Sequence, residues 1–371
     1  MTGDAGENDV KKLDLGLIRQ QIDTLDANIH TLLNERATLA QQVGISKSRE
    51  GRVVDFYRPE REAEVLRMAL ARNRGPLRDE EIVRLFREIM SACLAQQEPL
   101  KVAFLGPEGT FTQQAVYKQF GHSVRALSLP SIEEVFHEVE AGVADFGVVP
   151  IENSTEGSVN NTLDRFLISP LNICGEVEVR IHQHLMGRMD TLERIERVVS
   201  HQQSLAQCRQ WLDEHMPGIE RIPVSSNAEA ARRSRDERGT AAIGGQIAAE
   251  VYGLTILANE IEDRPDNTTR FLVVGKQVFH SSGADKTTLI VSANDTESPG
   301  ALQQLLEPLA RHGVSLTRIE SRPSRKRKWE YVFFLDLLGH TDDPPVAAAL
   351  QELTTRTSLL RVLGSYPRSV L

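Results

Sequence analysis

Four consecutive polar side chains follow a short apolar run in the middle of this 371-residue chain. Glu152, Asn153, Ser154 and Thr155 come directly after the apolar residues 146–151. Such a run is typical of an interior strand of a doubly wound sheet, and these sheets bind ligands beyond the carboxyl ends of their strands. A carboxyl, an amide and two hydroxyls can hold an oxygen-rich substrate and move a proton. An ordinary strand-to-helix loop uses the same residue types, so this segment alone leaves both interpretations open.

A second set of candidate residues lies in the first hundred positions, where charges interrupt an apolar helical stripe. Apolar residues recur at intervals of three and four from Ile18 toward Lys47, which predicts one helix about 50 Å long. A helix of that length cannot bury its stripe inside a monomer of this size, so we expect the same helix of a second chain to cover it. Four cations with one acid and one amide would trap a small polycarboxylate. The set is Arg19, Arg36, Lys47, Arg61, Glu62 and Gln97. Any single member could instead extend into solvent.

The elements that must position these residues change character twice along the chain. Residues 13–97 are helical in pattern, with further helices predicted to begin at Pro59 and at Asp79 as a cap. Short apolar strands then alternate with helices, which predicts an α/β fold. The predicted strands are 102–105, 146–149, 176–181, 198–200, 241–244 and 270–274. From residue 287 the order is strand, helix, two strands, helix and strand, the ferredoxin-like arrangement. The expected domains are 1–97, 101–278 and 287–371.

Composition excludes several classes of function. The net charge of -9 gives no basic surface for nucleic acid or an anionic membrane. The polar N-terminus and the lack of any long apolar run predict a cytoplasmic protein. Three widely spaced cysteines predict neither disulfides nor a metal site. The Gly106-Pro107-Glu108-Gly109 segment lacks the spacing of a nucleotide-binding loop, so we expect no cofactor.

The helical residues carry a specific resemblance to the all-helical chorismate mutase family. The matching segments are Ile18-Arg19-x-x-Ile22-Asp23, Leu33-x-Glu35-Arg36, Val43-Gly44-x-Ser46-Lys47, Arg58-Pro59-Glu60-Arg61-Glu62 and Gln96-Gln97. The resemblance implies two interlocked chains, in which Arg19 reaches the partner's site while Arg36, Lys47, Arg61, Glu62 and Gln97 line their own. It implies the rearrangement of chorismate to prephenate, with Lys47 and Gln97 at the breaking ether oxygen. Cys93 and Arg58 depart from the family pattern.

The middle region resembles the prephenate dehydratases from residue 104 to residue 271. The matching segments include 104–112, Val149-Pro150-Ile151-Glu152-Asn153-Ser154, Ser200-His201-x-x-Ser204 with the four residues that follow, and Asp266-Asn267-Thr268-Thr269-Arg270-Phe271. The resemblance implies two α/β lobes like those of periplasmic binding proteins, with the active site in the cleft between them. It implies that carbon dioxide and water leave prephenate to give phenylpyruvate.

The same resemblance implies roles for individual residues. Thr269 would orient or relay a proton, and Glu152 would supply it if burial raises its pKa. Asn153, Ser154, Ser200 and Gln207 would position the substrate, while Arg270 would bind a carboxylate or serve only the fold. We expect Glu152 and Asn153 to face Thr269 across the cleft. His201 ends a predicted strand, where a histidine is more often structural, and Gln202 stands where the family has a proline.

The last region resembles amino-acid-binding ACT domains. Two segments carry the resemblance, Pro299-Gly300-Ala301-Leu302 at a predicted helix start and Glu320-Ser321-Arg322-Pro323 at a strand end. Gly300 would let a ligand carboxylate approach the helix N-terminus, although a capped helix start is explanation enough for Pro299. The resemblance implies that L-phenylalanine binds as a feedback inhibitor at Gly300, Ala301, Leu302, Glu320, Ser321, Arg322 and Pro323.

These features favour a homodimeric bifunctional enzyme of phenylalanine biosynthesis, both an isomerase and a carbon-oxygen lyase. The expected fold is multidomain, with an all-α helical domain, a two-lobed α/β dehydratase domain and an α+β ferredoxin-like ACT domain. Two alternatives stay open. One is a dehydratase whose helical region serves only dimerisation, against which Arg36, Lys47, Arg61 and Gln97 argue. The other is a solute-binding or regulatory protein on the same two lobes, against which Glu152 and Thr269 argue.

Overall fold

The computed structural model describes residues 14–49, 57–294, 299–324 and 330–370, apart from the side chains of residues 44 and 46–49. The first three helices are α1 (Leu15–Arg49), α2 (Pro59–Arg72) and α3 (Asp79–Ala95). The 35 residues of α1 confirm the single long helix, and Pro59 begins α2 as predicted. The cap of α3 is Arg78 rather than Asp79, whose charge in the first turn still complements the helix dipole.

Two lobes follow the helical region, and the first is a mixed sheet flanked by helices. Its elements are β1 (Lys101–Leu105), α4 (Phe111–Phe120), β2 (Arg125–Leu129), α5 (Ile132–Ala141), β3 (Phe146–Asn153), β4 (Gly157–Ser158), α6 (Asn160–Phe166), β5 (Asn172–Arg180) and the later strand β11 (Thr268–Gly275). The strand order is β2-β1-β3-β11-β5, with β4 beside β3. Strand β11 lies between β3 and β5 and is antiparallel to both.

The second lobe is inserted between β5 and β11. Its elements are β6 (His184–Gly187), β7 (Arg197–His201), α7 (Gln202–Gln207), α8 (Arg209–His215), β8 (Glu220–Val224), α9 (Asn227–Asp236), β9 (Thr240–Gly244), α10 (Gln246–Tyr252) and β10 (Thr255–Ala258). Its strand order is β10-β6-β9-β7-β8. The helix predicted over 204–213 is two helices, because the Asp263 carboxylate accepts the backbone N–H groups of Gln210 and Trp211 and starts α8 anew.

The two segments that join the lobes run side by side. The Ile181 N–H donates to the Asn267 carbonyl at 2.8 Å, and the Ile261 N–H donates to the Gln183 carbonyl at 2.8 Å. The Glu262 carboxylate binds the Gln183 N–H and the His182 ring, both within 2.8 Å. A paired double crossover of this kind holds the cleft between the lobes at a defined width.

The C-terminal region has the predicted ferredoxin-like order. Its elements are β12 (Asp285–Ala293), α11 (Ala301–Arg311), β13 (Leu316–Pro323), β14 (Tyr331–Leu338), α12 (Pro344–Arg356) and β15 (Thr357–Pro367), and its strand order is β13-β14-β12-β15. Gly300 is the N-cap of α11 with φ of 83°, a left-handed conformation that favours glycine.

Both flanking regions pack against the first lobe. Phe334 and Leu363 of the C-terminal sheet share one apolar core with Phe136 and Phe166. The approach is so close that a Cβ at Gly364 would lie 2.2 Å from the Ile173 carbonyl oxygen. On the other side of the lobe, the Tyr57 ring packs 5.1 Å from Phe120 and 5.2 Å from Phe146. Among the described helices, none is long and apolar enough to cross a membrane.

Candidate active sites

Asn153 and Thr269 lie opposite each other at the ends of adjacent strands β3 and β11. The Asn153 amide nitrogen donates to the Thr269 hydroxyl oxygen at 2.7 Å. The amide cannot turn over, because its oxygen accepts the backbone N–H groups of Thr155 and Glu156 at 3.0 and 3.1 Å. The Thr269 oxygen therefore accepts a hydrogen bond from Asn153, and its own proton is free to point into the cleft.

Asn267 completes this group from the crossover segment. Its side-chain oxygen accepts the Asn153 amide at 2.9 Å and lies 3.3 to 3.4 Å from the hydroxyls of Ser154 and Thr155. Ser154 in turn accepts the Thr268 N–H at 3.0 Å. With its oxygen fixed in this way, the buried Asn267 directs its amide N–H groups toward the cleft. The two sequence segments predicted to share a site are thus brought together.

The prediction that Glu152 and Asn153 face Thr269 across the cleft is wrong in its geometry, because β3 and β11 are adjacent strands of one lobe and Asn153 lies beside Thr269. Residues 152 and 153 belong to a strand that continues past Pro150, and the pairing with β11 shifts by one residue beside that proline. Successive side chains of a strand point to opposite faces, so only one of Glu152 and Asn153 can face the cleft. Asn153 does so, and the Glu152 carboxylate lies 3.1 Å from the Arg318 guanidinium in the C-terminal region.

Arg270 also points away from the cleft. Its guanidinium donates to Glu176 at 2.8 Å and to Asp336 at 2.6 Å, and it lies 3.2 Å from the Tyr366 hydroxyl. Asp336 and Tyr366 belong to the C-terminal sheet, and both are buried. Of the two interpretations of Arg270, the structure favours a role in the fold over direct contact with a substrate carboxylate.

The second lobe contributes an asparagine that the sequence pattern did not single out. Asn227 begins α9, and its side-chain oxygen accepts the hydroxyls of Ser200 and Ser204, each at 3.0 Å. Ser200 is buried, and its single proton is shared between the Asn227 oxygen and the Ile243 carbonyl, which lies 2.8 Å from the hydroxyl oxygen. Ser200 therefore holds Asn227 in place, and the amide N–H groups of Asn227 face the cleft.

Two glutamines and one histidine complete the wall formed by the second lobe. The Gln183 amide donates to the Gln207 oxygen at 3.1 Å, while the Gln183 oxygen is buried with no hydrogen-bond partner in the described part of the chain. The His201 Nδ1 accepts the Gln203 N–H at 3.4 Å and so caps α7, which agrees with the structural role expected for it.

Together these residues line a cavity of about 440 Å³ between the lobes. The lining includes the starts of two longer helices, at Thr110 and Phe111 for α4 and at Ser226 and Asn227 for α9. It contains no Lys or Arg among the described residues. A second cavity of about 610 Å³ adjoins it through His201, Gln203, Gln207, Glu156 and Asn267. An anion in the 440 Å³ cavity would be met by amides, hydroxyls and helix N-termini, whereas Arg264 lines the adjoining cavity.

The helical region brings together only part of its predicted set. Gln97 donates to the Ala40 carbonyl of α1 at 2.7 Å, and its side-chain oxygen is buried with no partner in the described ranges. Arg36 is half-buried on α1 and Arg19 is exposed. The Lys47 side chain lies outside the described residues.

Arg61 and Glu62 lie in different surroundings in the single chain. Arg61 is exposed and pairs with Glu64 one turn along α2. Glu62 is largely buried at the junction with the first lobe, where its carboxylate lies 3.2 Å from the Arg87 guanidinium. Burial raises the pKa of Glu62, and the Arg87 charge offsets this only in part. A residue that the sequence did not single out, Glu60, has a buried carboxylate oxygen with no partner in the described part of the chain.

The second segment of the predicted amino-acid site is held against the first lobe. Glu320 accepts the Ser158 hydroxyl at 2.6 Å, and Arg322 donates to Asp164 at 2.8 Å and to Asn160 at 2.7 Å. Gly300, Ala301 and Leu302 lie at the start of α11 as expected. The segment thus connects to β4 and α6, which follow Asn153 along the chain.

Comparison with known proteins matches all three regions. Family models for chorismate mutase type II, prephenate dehydratase and the ACT domain match residues 18–98, 102–278 and 287–355. A bifunctional chorismate mutase/prephenate dehydratase from Stutzerimonas stutzeri is 54% identical over 361 residues, 96% of this chain and 98% of the relative. The chain belongs to the bifunctional chorismate mutase/prephenate dehydratase family. It rearranges chorismate to prephenate and converts prephenate to phenylpyruvate.

Solved structures resemble the dehydratase and ACT regions of this family. A prephenate dehydratase from Arthrobacter aurescens, solved in complex with L-Phe, is 38% identical with a TM-score of 0.67, covering 72% of this chain and 90% of that one. GqqA, described as a quorum quenching acylase, is 30% identical with a TM-score of 0.68, covering 73% of this chain and 98% of that one. Because the fold is shared with an acylase, the bifunctional relatives rather than the fold decide the reaction.

The cleft residues that the sequence did not single out follow a rule already applied to Glu152. Asn227 lies just beyond the carboxyl end of β8, as Asn153 lies at the carboxyl end of β3. Polar residues at these positions line ligand sites in open α/β sheets. Applied to the predicted strands, the rule points to Gln183, which follows the predicted strand 176–181 by two residues. It misses Asn227, because the strand before it, β8, is not among the predicted strands.

Proposed function

We propose that the Asn153–Thr269 pair is where this bifunctional enzyme dehydrates prephenate. The observation that carries the proposal is the 2.7 Å hydrogen bond from the Asn153 amide to the Thr269 oxygen, with the amide fixed by two backbone donors. This arrangement leaves one directed proton on Thr269. Asn267 from the crossover and Asn227 from the second lobe add amide groups to the lining of the same cavity.

In the proposed reaction, one bond breaks on each side of the ring. The electron pair of the bond to the ring carboxylate enters the ring as carbon dioxide leaves, and the pair of the C–O bond leaves with the hydroxyl. One proton must reach that oxygen so that it departs as water. Thr269 donates the hydrogen bond that stabilises the leaving oxygen, and solvent in the cleft restores the proton. The products are phenylpyruvate, carbon dioxide and water.

The lack of Lys and Arg among the described residues that line the 440 Å³ cavity is consistent with this chemistry. The ring carboxylate loses its negative charge as carbon dioxide forms, so a cation beside it would stabilise the ground state more than the transition state. The pyruvyl carboxylate keeps its charge, and we assign it to the helix N-termini of α4 and α9. Gln207 acts from the lining of the cleft, Ser154 acts by holding Asn267, and Ser200 acts by holding Asn227.

For the mutase reaction we propose a site shared between two chains. The apolar stripe of α1 supports a homodimer, because Ile22, Leu25, Ile29, Leu32 and Leu39 are all about half exposed or more in the single chain. A partner's α1 would cover them and bring its Arg19 to the Arg36, Lys47 and Gln97 of the first chain. The unpartnered Gln97 oxygen supports a polar ligand at that position.

Mixing two variants tests the shared site. Arg19→Ala and Arg36→Ala should each lack mutase activity as pure proteins. Co-expressed chains should regain about a quarter of the wild-type activity, because half of the dimers are mixed and each mixed dimer holds one intact site. Dehydratase activity serves as the control for protein amount. Failure of the mixture to regain mutase activity, with both chains present in dimers, would place Arg19 in the site of its own chain.

We further propose that L-phenylalanine inhibits the enzyme by binding at Gly300–Leu302 and Glu320–Pro323, and that the enzyme acts in the cytoplasm. The L-Phe complex of the 38% identical dehydratase supports this, as does the left-handed Gly300 at the start of α11. Ala at residue 300 would strain the backbone and narrow the approach of a ligand carboxylate. Gly300→Ala should therefore need at least about tenfold more L-phenylalanine for half inhibition.

A coupled assay tests the whole proposal. Purified enzyme given chorismate should release phenylpyruvate, and adding L-phenylalanine should slow its release. Accumulation of prephenate would reject the assignment of the cleft, and unchanged chorismate would reject that of the helical region. If Gly300→Ala needs the same L-phenylalanine concentration for half inhibition as the wild type, the assigned L-phenylalanine site is wrong.

A further inference from the structure

Four charged side chains form a square between the ACT sheet and the two strands that carry Asn153 and Thr269. Glu152 and Arg270 are register partners on β3 and β11, and Arg318 and Asp336 are register partners on β13 and β14. The Arg270 guanidinium donates to the Asp336 carboxylate at 2.6 Å. The Arg318 Nε lies 3.1 Å from the Glu152 carboxylate, an ion pair in which the N–H is not aligned for a hydrogen bond. Each cross-strand pair therefore faces a pair of opposite charges in the other domain.

Burial makes three corners of this square rigid. The side chains of Arg270, Asp336 and Arg318 are 12%, 2% and 10% exposed, whereas Glu152 is 40% exposed. Glu176 extends the network, because its carboxylate binds Arg270 at 2.8 Å and Lys286 of the ACT sheet at 2.6 Å. A buried ion that loses its partner is strongly disfavoured, so the two sheets cannot slide past each other without breaking these pairs.

The square lies one residue away from the proposed dehydratase pair. Glu152 and Arg270 face the ACT sheet, while Asn153 and Thr269 are their direct neighbours on the same two strands and face the cleft. Each strand has one backbone for both faces, so a shift of the square moves Asn153 and Thr269 by a comparable distance. Misplacing a catalytic group by about 1 Å can cost about 100-fold in rate.

We propose that the charge square of Glu152, Arg270, Arg318 and Asp336 positions Asn153 and Thr269 for the dehydratase reaction. The proposal rests on the assignment of Thr269 made above. It makes Glu152 and Arg270 positioning residues, neither of which touches the substrate. It also links the square to the proposed inhibitor site, since Glu320 lies two residues from Arg318 on β13, 3.5 Å from its guanidinium. A ligand that contacts the Glu320 carboxylate would move it relative to Arg318. That movement would disturb the square and, through it, the position of Thr269.

The Glu152–Arg318 edge allows a decisive test, because Glu152 is exposed enough to be replaced without unfolding. Glu152→Gln and Arg318→Gln should each lower the dehydratase kcat by about 10-fold or more, with KM within about twofold. The double variant should be no slower than the worse single variant, since both changes break one pair. Arg318→Lys should recover part of the rate. Mutase activity on the same chain should stay at the wild-type level.

A matched control removes a different arginine from the ACT domain. Arg356 pairs with Glu307 and Glu352 inside that domain, so Arg356→Gln should leave the dehydratase kcat unchanged. The proposal is overturned if Arg318→Gln behaves like this control. It is also overturned if Glu152→Gln alone removes the basic limb of the pH–rate profile, since that result makes Glu152 the proton donor. Failure of the Thr269 assignment would appear elsewhere, as a Thr269→Val enzyme with normal kcat.

Discussion

Replacing Thr269 by Val removes one hydroxyl and keeps the β-branched shape that strand β11 accommodates. In the wild type the hydroxyl accepts the Asn153 amide at 2.7 Å and has one proton left for the leaving oxygen. Loss of a donor aimed at a developing charge typically costs about 2.7–4 kcal/mol of transition-state stabilisation, or about 100- to 1000-fold in kcat. We therefore expect the dehydratase kcat of Thr269→Val to fall by that factor.

The structural cost of the same change should be small. The Asn153 amide keeps the Asn267 oxygen at 2.9 Å as an acceptor, so the lost hydrogen bond should destabilise the fold by only about 1 kcal/mol. Thermal unfolding of the variant should remain within a few degrees of the wild type. Mutase activity should not change, because chorismate is processed in the helical region.

The assay is the formation of phenylpyruvate from prephenate, measured beside the mutase rate of the same preparation. Thr268→Val is the matched control, since the Thr268 hydroxyl lies 3.5 Å from the Asp266 carbonyl and its residue neighbours the same site. Thr269→Ser should keep most of the rate. A drop of less than about 10-fold for Thr269→Val would refute the reasoning, as would a Thr268→Val enzyme that is equally slow.

Three further predictions concern other parts of the molecule. Asn227→Asp keeps the oxygen that accepts from Ser200 and Ser204, so the unfolding temperature should stay at the wild-type value. The new negative charge would repel a dianionic substrate, so the dehydratase kcat/KM should fall at least about 10-fold. Gly364→Ala brings a Cβ to 2.2 Å from the Ile173 carbonyl oxygen, so its free energy of unfolding should fall by about 1–3 kcal/mol in denaturant unfolding. Gly75→Ala is the control and should lose no stability, because a Cβ there would meet nothing within 4 Å. Burial raises the pKa of Glu62 above its unfolded value, so the wild type should lose stability relative to Glu62→Gln as the pH rises from 4.5, measured by denaturant unfolding at several pH values.

The order of elements followed from local patterns in the helical region and in the last region, whereas β2, β4, β6, β8 and β10 of the two lobes were not predicted. These five strands have only two to five residues each, and so short a run gives a weak periodic signal. Alternation, helical spacing and turn residues placed the long α1, the start of α2 at Pro59 and the ferredoxin-like order of the last region. The break between α7 and α8 did not follow, because the carboxylate that starts α8 belongs to Asp263, more than fifty residues later. Such a long-range cap leaves no local pattern.

The direction of single side chains was harder to predict than the strands that carry them. The sequence predicts a strand that ends at Val149, after which Glu152 and Asn153 could both face the cleft. The strand in fact runs through Pro150 by way of an irregular pairing with β11, and its alternation then separates the two residues. Arg61 and Glu62 show the same difficulty on α2, where tertiary packing decides that Glu62 is buried and Arg61 is not.

The contacts of the helical region explain why both activities have to be measured in every variant. Tyr57 packs on Phe146, which begins the strand that ends at Asn153, and burial raises the pKa of the Tyr57 hydroxyl beside Glu62. Arg67 also reaches Ser282 in the segment that leads into the ACT sheet, donating to its carbonyl and its hydroxyl at 2.8 Å. A change on α2 can therefore reach the dehydratase sheet through packing alone. Loss of dehydratase activity with a normal mutase rate is the result that isolates the cleft, since a disturbance transmitted through Tyr57 would begin in the helices.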